Sequence, residues 1–140
     1  MRTAKPGSLR VVLDTNVYFS AFTNKGLPFL LWQRAVRREY TLVISPAIFR
    51  ELGGVLRRRA GWEDAEIVSQ LKLLARVGEI VSPARTIQAI QDDDDDNRIL
   101  ECAVEGKVDL IVSSDHHLRR LKTFQGIGIL HPIDFRRTLG

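Results

Sequence analysis

Short unbroken apolar runs alternate with longer stretches of helical period along this chain. LRVVLDTN (residues 9–16) is an apolar run ending in polar residues, the pattern of a strand buried on both faces. LPFLLWQRAVRR (27–38) has apolar spacing near the helical period, and TLVISP (41–46) is again a short strand rich in β-branched residues. Ser45 followed by Pro46 marks a helix start, with serine as cap and proline at the first helical position, and PAIFRELGGVLRRR continues it. WEDAEIVSQLKLLARV, between Gly61 and Gly78, predicts another helix with Ile67, Leu71 and Leu74 at core spacing. EIVSP is a third strand. Beyond QDDDDDNRIL (91–100), NRILECAVEGK is helical, with Ile99, Leu100, Ala103 and Val104 on one face and Gly106 as its stop. VDLIVSSD is a fourth strand, HHLRRLK a short helix, GIGILHP a fifth strand and IDFRRTL a closing turn or helix.

Strands alternating with helices imply parallel, right-handed crossovers and an α/β class, a three-layer α/β/α sandwich around a parallel sheet of about five strands. With 140 residues and neither a repeat nor a linker, a single domain over residues 1–140 is expected, long enough to bury roughly 68–70% of its unfolded surface. No apolar run approaches the roughly 20 residues of a membrane span, so no membrane partner is expected. The start, MRTAKPGSLR, lacks the apolar segment of a secretory signal, and the single cysteine, Cys102, cannot form an internal disulfide. A cytoplasmic location follows as the expectation.

Net charge is +4, and it would be +9 without the five aspartates of the acidic run. Arginines cluster as Arg37-Arg38, Arg57-Arg58-Arg59, Arg119-Arg120 and Arg136-Arg137, a distribution suited to a polyanion through phosphate contacts and counterion release. Several of these pairs also fall in the last turn of a predicted helix, where cations complement the macrodipole. Basic character alone therefore leaves both readings standing.

The acids are more selective. In open parallel sheets the ligand cleft lies beyond the carboxyl ends of the strands. Asp14 follows the first strand directly and Asp115 comes just after the fourth, so both belong to one rim. Asp96 precedes Ile99, Leu100 and Ala103 by three, four and seven residues, which puts it over the core-facing stripe of its helix. Glu51 lies on the border of an apolar face one turn into a helix that starts at the same rim. Each acid taken singly has a structural explanation as a cap, an ion-pair partner or a helix-terminus charge. Four on one rim, with no lysine or arginine beside Asp14 or Asp115, are poorly explained by capping. Carboxylate oxygens are the preferred ligands of Mg²⁺ and Mn²⁺, and such an ion within a basic periphery suggests phosphodiester hydrolysis.

VLDTNVYFSA, SPAIFREL, DDDDNRILECA and LIVSSDHHL, in that order, closely resemble the PIN-domain ribonucleases, in particular the prokaryotic group regarded as toxins of toxin-antitoxin pairs. The resemblance covers nearly the whole chain. It implies that Asp14, Glu51, Asp96 and Asp115 form a catalytic, metal-binding quartet for Mg²⁺ or Mn²⁺, with Asn16 and Ser114 as supporting polar residues. Thr15, beside Asp14, is a further candidate for contact with substrate or metal-bound water, and Asp93 is the next of the aspartates to assist Asp96. The remaining aspartates are expected to form a solvated lip. The activity implied is metal-dependent cleavage of single-stranded RNA, with Arg57, Arg58 and Arg59 as candidate RNA contacts. A cognate antitoxin protein and a homodimer are the implied protein partners. The family's usual proline within the acidic segment is replaced here by aspartate.

Other functions fit less well. A phosphoacceptor signalling domain needs an aspartate after a central strand, whereas TLVIS and EIVS both end in serine. A haloacid-type phosphatase needs a second acid two residues after Asp14, where Asn16 stands. The remaining alternative is a catalytically silent module of the same fold that binds RNA or a protein partner. His116, His117 and His131 are read as turn and helix-end residues, Cys102 as a small buried hydrophobe, and Trp32 and Trp62 as packing.

Overall fold

The computed structural model describes residues 9–90 and 93–140. Asp92, the first of the five aspartates, lies outside them. The described residues form β1 (Arg10–Leu13), α1 (Thr15–Thr23), α2 (Leu27–Val36), β2 (Thr41–Ile44), α3 (Pro46–Ala60), α4 (Asp64–Val77) and β3 (Glu79–Ile80). They continue with α5 (Asp94–Glu105), β4 (Leu110–Val112), α6 (His116–Arg119), β5 (Thr123–Phe124), β6 (Ile127–Leu130) and α7 (Pro132–Leu139). One six-stranded sheet, in the order β3-β2-β1-β4-β6-β5, runs through the centre and is flanked by helices.

Five strands are parallel. The sixth, β5, forms a short antiparallel pair with β6 at the edge. Val11, Val12 and Leu13 are fully buried, as the unbroken apolar run requires of a strand covered on both faces. From β1 the chain steps outward to β2 and β3, then returns through α5 to β4 on the other side of β1. The reversal makes the gap between the carboxyl ends of β1 and β4 the topological switch point, where such sheets bind ligands. The register sets Leu13 beside Val112, so the residues that follow, Asp14 and Ser113, are neighbours.

Several local expectations change. The stretch 9–16 is a strand only to Leu13, because Thr15 opens α1, whose apolar residues Val17, Tyr18 and Ala21 bury one helical face. α5 begins at Asp94 rather than Asn97, because Asp93 caps it by accepting a hydrogen bond from the Asp96 backbone N–H at 3.0 Å. Ser45 holds the cap position of α3, yet its hydroxyl makes no capping bond. Gly106 ends α5 in a right-handed conformation, so it is not a left-handed cap. Close packing explains this glycine, since a Cβ there would stand 2.5 Å from Val43 Cγ1. Lys107 supplies the positive φ, at 50°.

α7 is a full helix tied into the core. Phe135 packs edge-on to Tyr40 with ring centroids 4.9 Å apart, and the Tyr40 hydroxyl donates to the Leu31 carbonyl at 2.7 Å. His131 caps α7 by accepting from the Ile133 N–H. Cys102 is fully buried, and burial pushes its thiol up to about 12, which leaves it inert as a nucleophile. Trp32 is buried as packing, whereas Trp62 is partly buried against the core. No helix among the described residues is long and apolar enough to cross a membrane.

Candidate metal centre

Asp14, Asp96 and Asp115 come together at the switch point, each offering a carboxylate oxygen such that the three atoms lie within 4.8 Å of one another. Asp14 stands between β1 and α1, Asp115 at the start of α6 beyond β4, and Asp96 in the first turn of α5. Three segments distant in sequence thus converge because the parallel register aligns two strand ends and α5 enters over them. Asp14 and Asp96 are each only 4% exposed.

The side chains are held unequally. Ser113 donates its hydroxyl to Asp14 Oδ2 at 2.7 Å, and the same Ser113 oxygen accepts the Asp115 backbone N–H at 2.9 Å. One buried hydroxyl therefore fixes the spacing of two of the acids. Asp115 Oδ1 also accepts the His117 N–H at 2.6 Å. Asp96 Oδ2 is buried with no hydrogen-bond partner, as is the Thr15 hydroxyl.

Crowding of like charge in a low-dielectric cleft penalises ionisation. Burial raises Asp14 to about 6; the Ser113 hydrogen bond opposes this, and the charge of Asp115 adds to it. Burial, helped by Asp93 and by the charges of Asp115 and Asp14, raises Asp96 to about 8. No Lys or Arg is paired with Asp14, Asp96 or Asp115 among the described residues. Three clustered acids, two of them buried, repel one another with no paired Lys or Arg, and a bound cation would offset that repulsion.

Glu51 stands apart from this trio. It is half-buried, one turn into α3, and its carboxyl rises to about 7 through burial first, then the charges of Asp95 and Asp14. The nearby Thr15 hydroxyl lowers it somewhat, although that hydroxyl makes no well-formed hydrogen bond. The structure therefore joins three of the four expected acids in one cluster and sets Glu51 beside it, facing Asp95. Asp95 belongs to the segment expected to be a solvated lip, and its exposed side chain nonetheless completes the flank.

The supporting residues also divide. Asp93 meets Asp96 through a helix cap, accepting its backbone N–H. Asn16 is exposed; its backbone N–H lowers the Asp14 carboxyl slightly but makes no well-formed cap bond to it. Ser114 is exposed, and the bond expected from a serine after β4 comes from Ser113 instead. Successive residues leaving a strand point to opposite sides, so only one of the pair can face Asp14. His116 and His117 are exposed. Arg57 pairs with Asp64, Arg58 folds over Gly54, and the Arg59 guanidinium lies 4.7 Å above the Phe19 ring. At 1.5 Å per residue these arginines are roughly 9–12 Å along α3 from Glu51.

Residues 10–117 match the family model described as PIN domain, and the chain belongs to that family. The uncharacterized protein MJ1680 of Methanocaldococcus jannaschii is 30% identical over 120 residues, covering 81% of this chain and 76% of that protein. Among solved structures, VapBC2 from Rickettsia felis, bound to a DNA fragment from its promoter, aligns with a TM-score of 0.59 at 15% identity. That alignment covers 88% of this chain and 98% of the other. PAE2754 from Pyrobaculum aerophilum aligns with a TM-score of 0.60 at 17% identity, covering 95% and 90%. At these identities the two structures establish a shared fold.

Proposed function

We propose that this PIN domain is a metal-dependent endoribonuclease that hydrolyses phosphodiester bonds of single-stranded RNA, acting as the toxin of a toxin-antitoxin pair. The observation that carries the chemistry is the convergence of Asp14, Asp96 and Asp115, with no Lys or Arg paired to them among the described residues. The donor set suits a hard ion. Three carboxylate oxygens within 4.8 Å of one another are the kind of donor set that a small, oxygen-preferring divalent ion would take. Asp96 Oδ2, buried without a hydrogen-bond partner, would be free to act as a ligand atom.

Asp14, Asp96 and Asp115 would hold Mg²⁺ or Mn²⁺. A bound ion of this kind polarises a phosphate oxygen and lowers the pKa of an attacking water. Ser113 keeps Asp14 and Asp115 in register, and the Asp93 cap holds the first turn of α5 so that Asp96 faces inward. Glu51, raised to about 7, stands where it can take up a proton at its carboxylate near neutral pH. Thr15 and Asn16, which follow Asp14 at the start of α1, would support it, Thr15 from a buried hydroxyl and Asn16 from the exposed side. Arg57, Arg58 and Arg59 would meet the RNA backbone beyond the site, in keeping with the basic surface.

The toxin reading rests on the ordered motifs and on the likeness in fold to VapBC2. It brings with it a cognate antitoxin, a homodimer and a cytoplasmic setting as parts of the same proposal. The test is cleavage of labelled single-stranded RNA with Mg²⁺ or Mn²⁺, repeated in chelator. Asp14→Asn, Asp96→Asn and Asp115→Asn should each reduce turnover by 100-fold or more, with losses that do not add because the acids act as a unit. A folded wild-type protein that binds RNA but cuts none with either ion would instead be the silent binding module.

A further inference from the structure

Residues 81–90, between β3 and α5, belong to no helix or strand, and none of the ten is buried. Val81, Ile87 and Ile90 rest partly buried against the core, but no residue of the segment is fully enclosed. The segment runs along α5, tied by its side chains at three evenly spaced points. The Ile90 N–H donates to Asn97 Oδ1 at 2.9 Å, while Asn97 Nδ2 donates back to the Ile90 carbonyl at 2.7 Å. Three residues earlier, the Ile87 N–H donates to Glu101 Oε2 at 2.7 Å. Three residues earlier again, the Ala84 N–H donates to Glu105 Oε1 at 2.9 Å. Positions 97, 101 and 105 recur at the four-residue spacing that stacks side chains on one helix face.

The ladder strengthens toward the metal centre. Asn97 is 2% exposed and Glu101 8%, and Glu101 is itself braced by Arg98, whose Nη2 lies 2.8 Å from Glu101 Oε2. At the far end Glu105 makes one bond at the exposed surface. A cavity of about 280 Å³ lined by Pro83, Arg85, Ile87, Val104 and Lys107 lies between the segment and the helix. The hydrogen bonds from Asn97, Glu101 and Glu105 span it beside the partial packing of Ile87 and Ile90. Asn97 directly follows Asp96, and Ile90 is three residues ahead of Asp93, so the strongest tie joins Ile90 to the first turn of α5.

We infer that Asn97 and Glu101 are positioning residues, which strap the segment 84–90 to α5 and thereby hold Asp93 and Asp96 in register with Asp14 and Asp115. The inference rests on the proposed metal centre and adds to it the device that builds its third ligand. Losing such outer partners typically weakens metal affinity by about 10–100-fold. The effect should be graded, largest at Asn97, smaller at Glu101 and smallest at Glu105.

The experiment is Mn²⁺ titration by calorimetry of wild type, Asn97→Ala, Glu101→Ala, Glu101→Gln and Glu105→Ala, with amide exchange at Ile87 and Ile90 and a chelator melt of each. Asn97→Ala and Glu101→Ala should bind Mn²⁺ about 10-fold or more weakly, with faster exchange at Ile90 and Ile87 respectively. Glu101→Gln, which keeps an acceptor oxygen, should recover most of the affinity, and Glu105→Ala should stay within about 3-fold of wild type. Should Asn97→Ala fail to fold, the Glu101 pair decides alone. Unchanged Mn²⁺ affinity in a folded Glu101→Ala with faster exchange at Ile87 would overturn the inference while leaving the metal centre intact. A wild-type protein that bound no Mn²⁺ would overturn both.

Discussion

Asp96→Asn should stabilise the metal-free protein, and the size of the effect follows from where this carboxylate stands. Asp96 is 4% exposed, has an unpartnered Oδ2, and is raised from 3.8 to about 8. Because the folded-state pKa lies above the unfolded value, the folded protein binds the extra proton between about pH 4 and pH 8. Stability therefore falls as pH rises through that window. At pH 7 the penalty spans a little over three pKa units, an upper limit of about 4 kcal/mol at 1.36 kcal/mol per unit. Sharing of charge among Asp14, Asp93 and Asp115 brings a realistic figure to about 2 kcal/mol, or roughly 6 °C in melting temperature for a domain of this size. Asparagine keeps the shape and never ionises. Melts in chelator at pH 7.5 should place the variant above wild type, and the gap should close near pH 4. Divalent ion at a hundredfold excess over Kd should then add about 2.7 kcal/mol to wild type and much less to the variant, narrowing or reversing the order. Asp94→Asn is the control, since its exposed first-turn charge stabilises the helix by at most about 1 kcal/mol and its loss should lower the melt slightly. An Asp96→Asn protein that melts below wild type in chelator and responds fully to metal would refute the reasoning and make Asp96 a structural residue.

Ser113→Ala should cost about 1–3 kcal/mol in folded stability, because Asp14 Oδ2 and the Asp115 N–H both lose their buried partner; Ser114→Ala, at an exposed position, should change the melt by less than about 0.5 kcal/mol. Glu51→Gln should lower turnover more than it weakens Mn²⁺ binding by calorimetry, since Glu51 lies outside the three-acid cluster; equal losses in both would make it a ligand. Replacing Arg57, Arg58 and Arg59 by alanine should weaken binding of all RNA sequences alike and flatten the log-log salt dependence by about 2, at roughly 0.7 per phosphate contact on single strands. An unchanged slope would leave these arginines to their local partners, Asp64, Gly54 and Phe19.

The alternation of apolar runs and helical stretches was enough to read the α/β class, because a parallel sheet forces both signals on its sequence. It also placed Asp14 and Asp115 on one rim, since each directly follows a strand. Helix phase alone identified Asp96 as the inward aspartate, three, four and seven residues ahead of buried neighbours. What escaped reading depends on pairing across the fold. Ser113 and Ser114 are indistinguishable along the chain, and only the alignment of Leu13 with Val112 selects Ser113. β5 has two residues and no periodicity of its own, so its strand character comes entirely from β6. The whole of α1 went unread, because Thr15 and Asn16 continue the polar end of the first strand without a break signal. Glu51 was placed correctly at the border of its helix face, but its distance from the other acids is set by how α3 packs, which no local pattern encodes.

The most direct test of the central claim is the location of Mn²⁺ by anomalous diffraction from crystals equilibrated with the ion. A peak bounded by Asp14, Asp96 and Asp115, lost in Asp96→Asn crystals treated in the same way, is the predicted result. Mn²⁺ bound elsewhere, with these three carboxylates free of metal at millimolar ion, would contradict it.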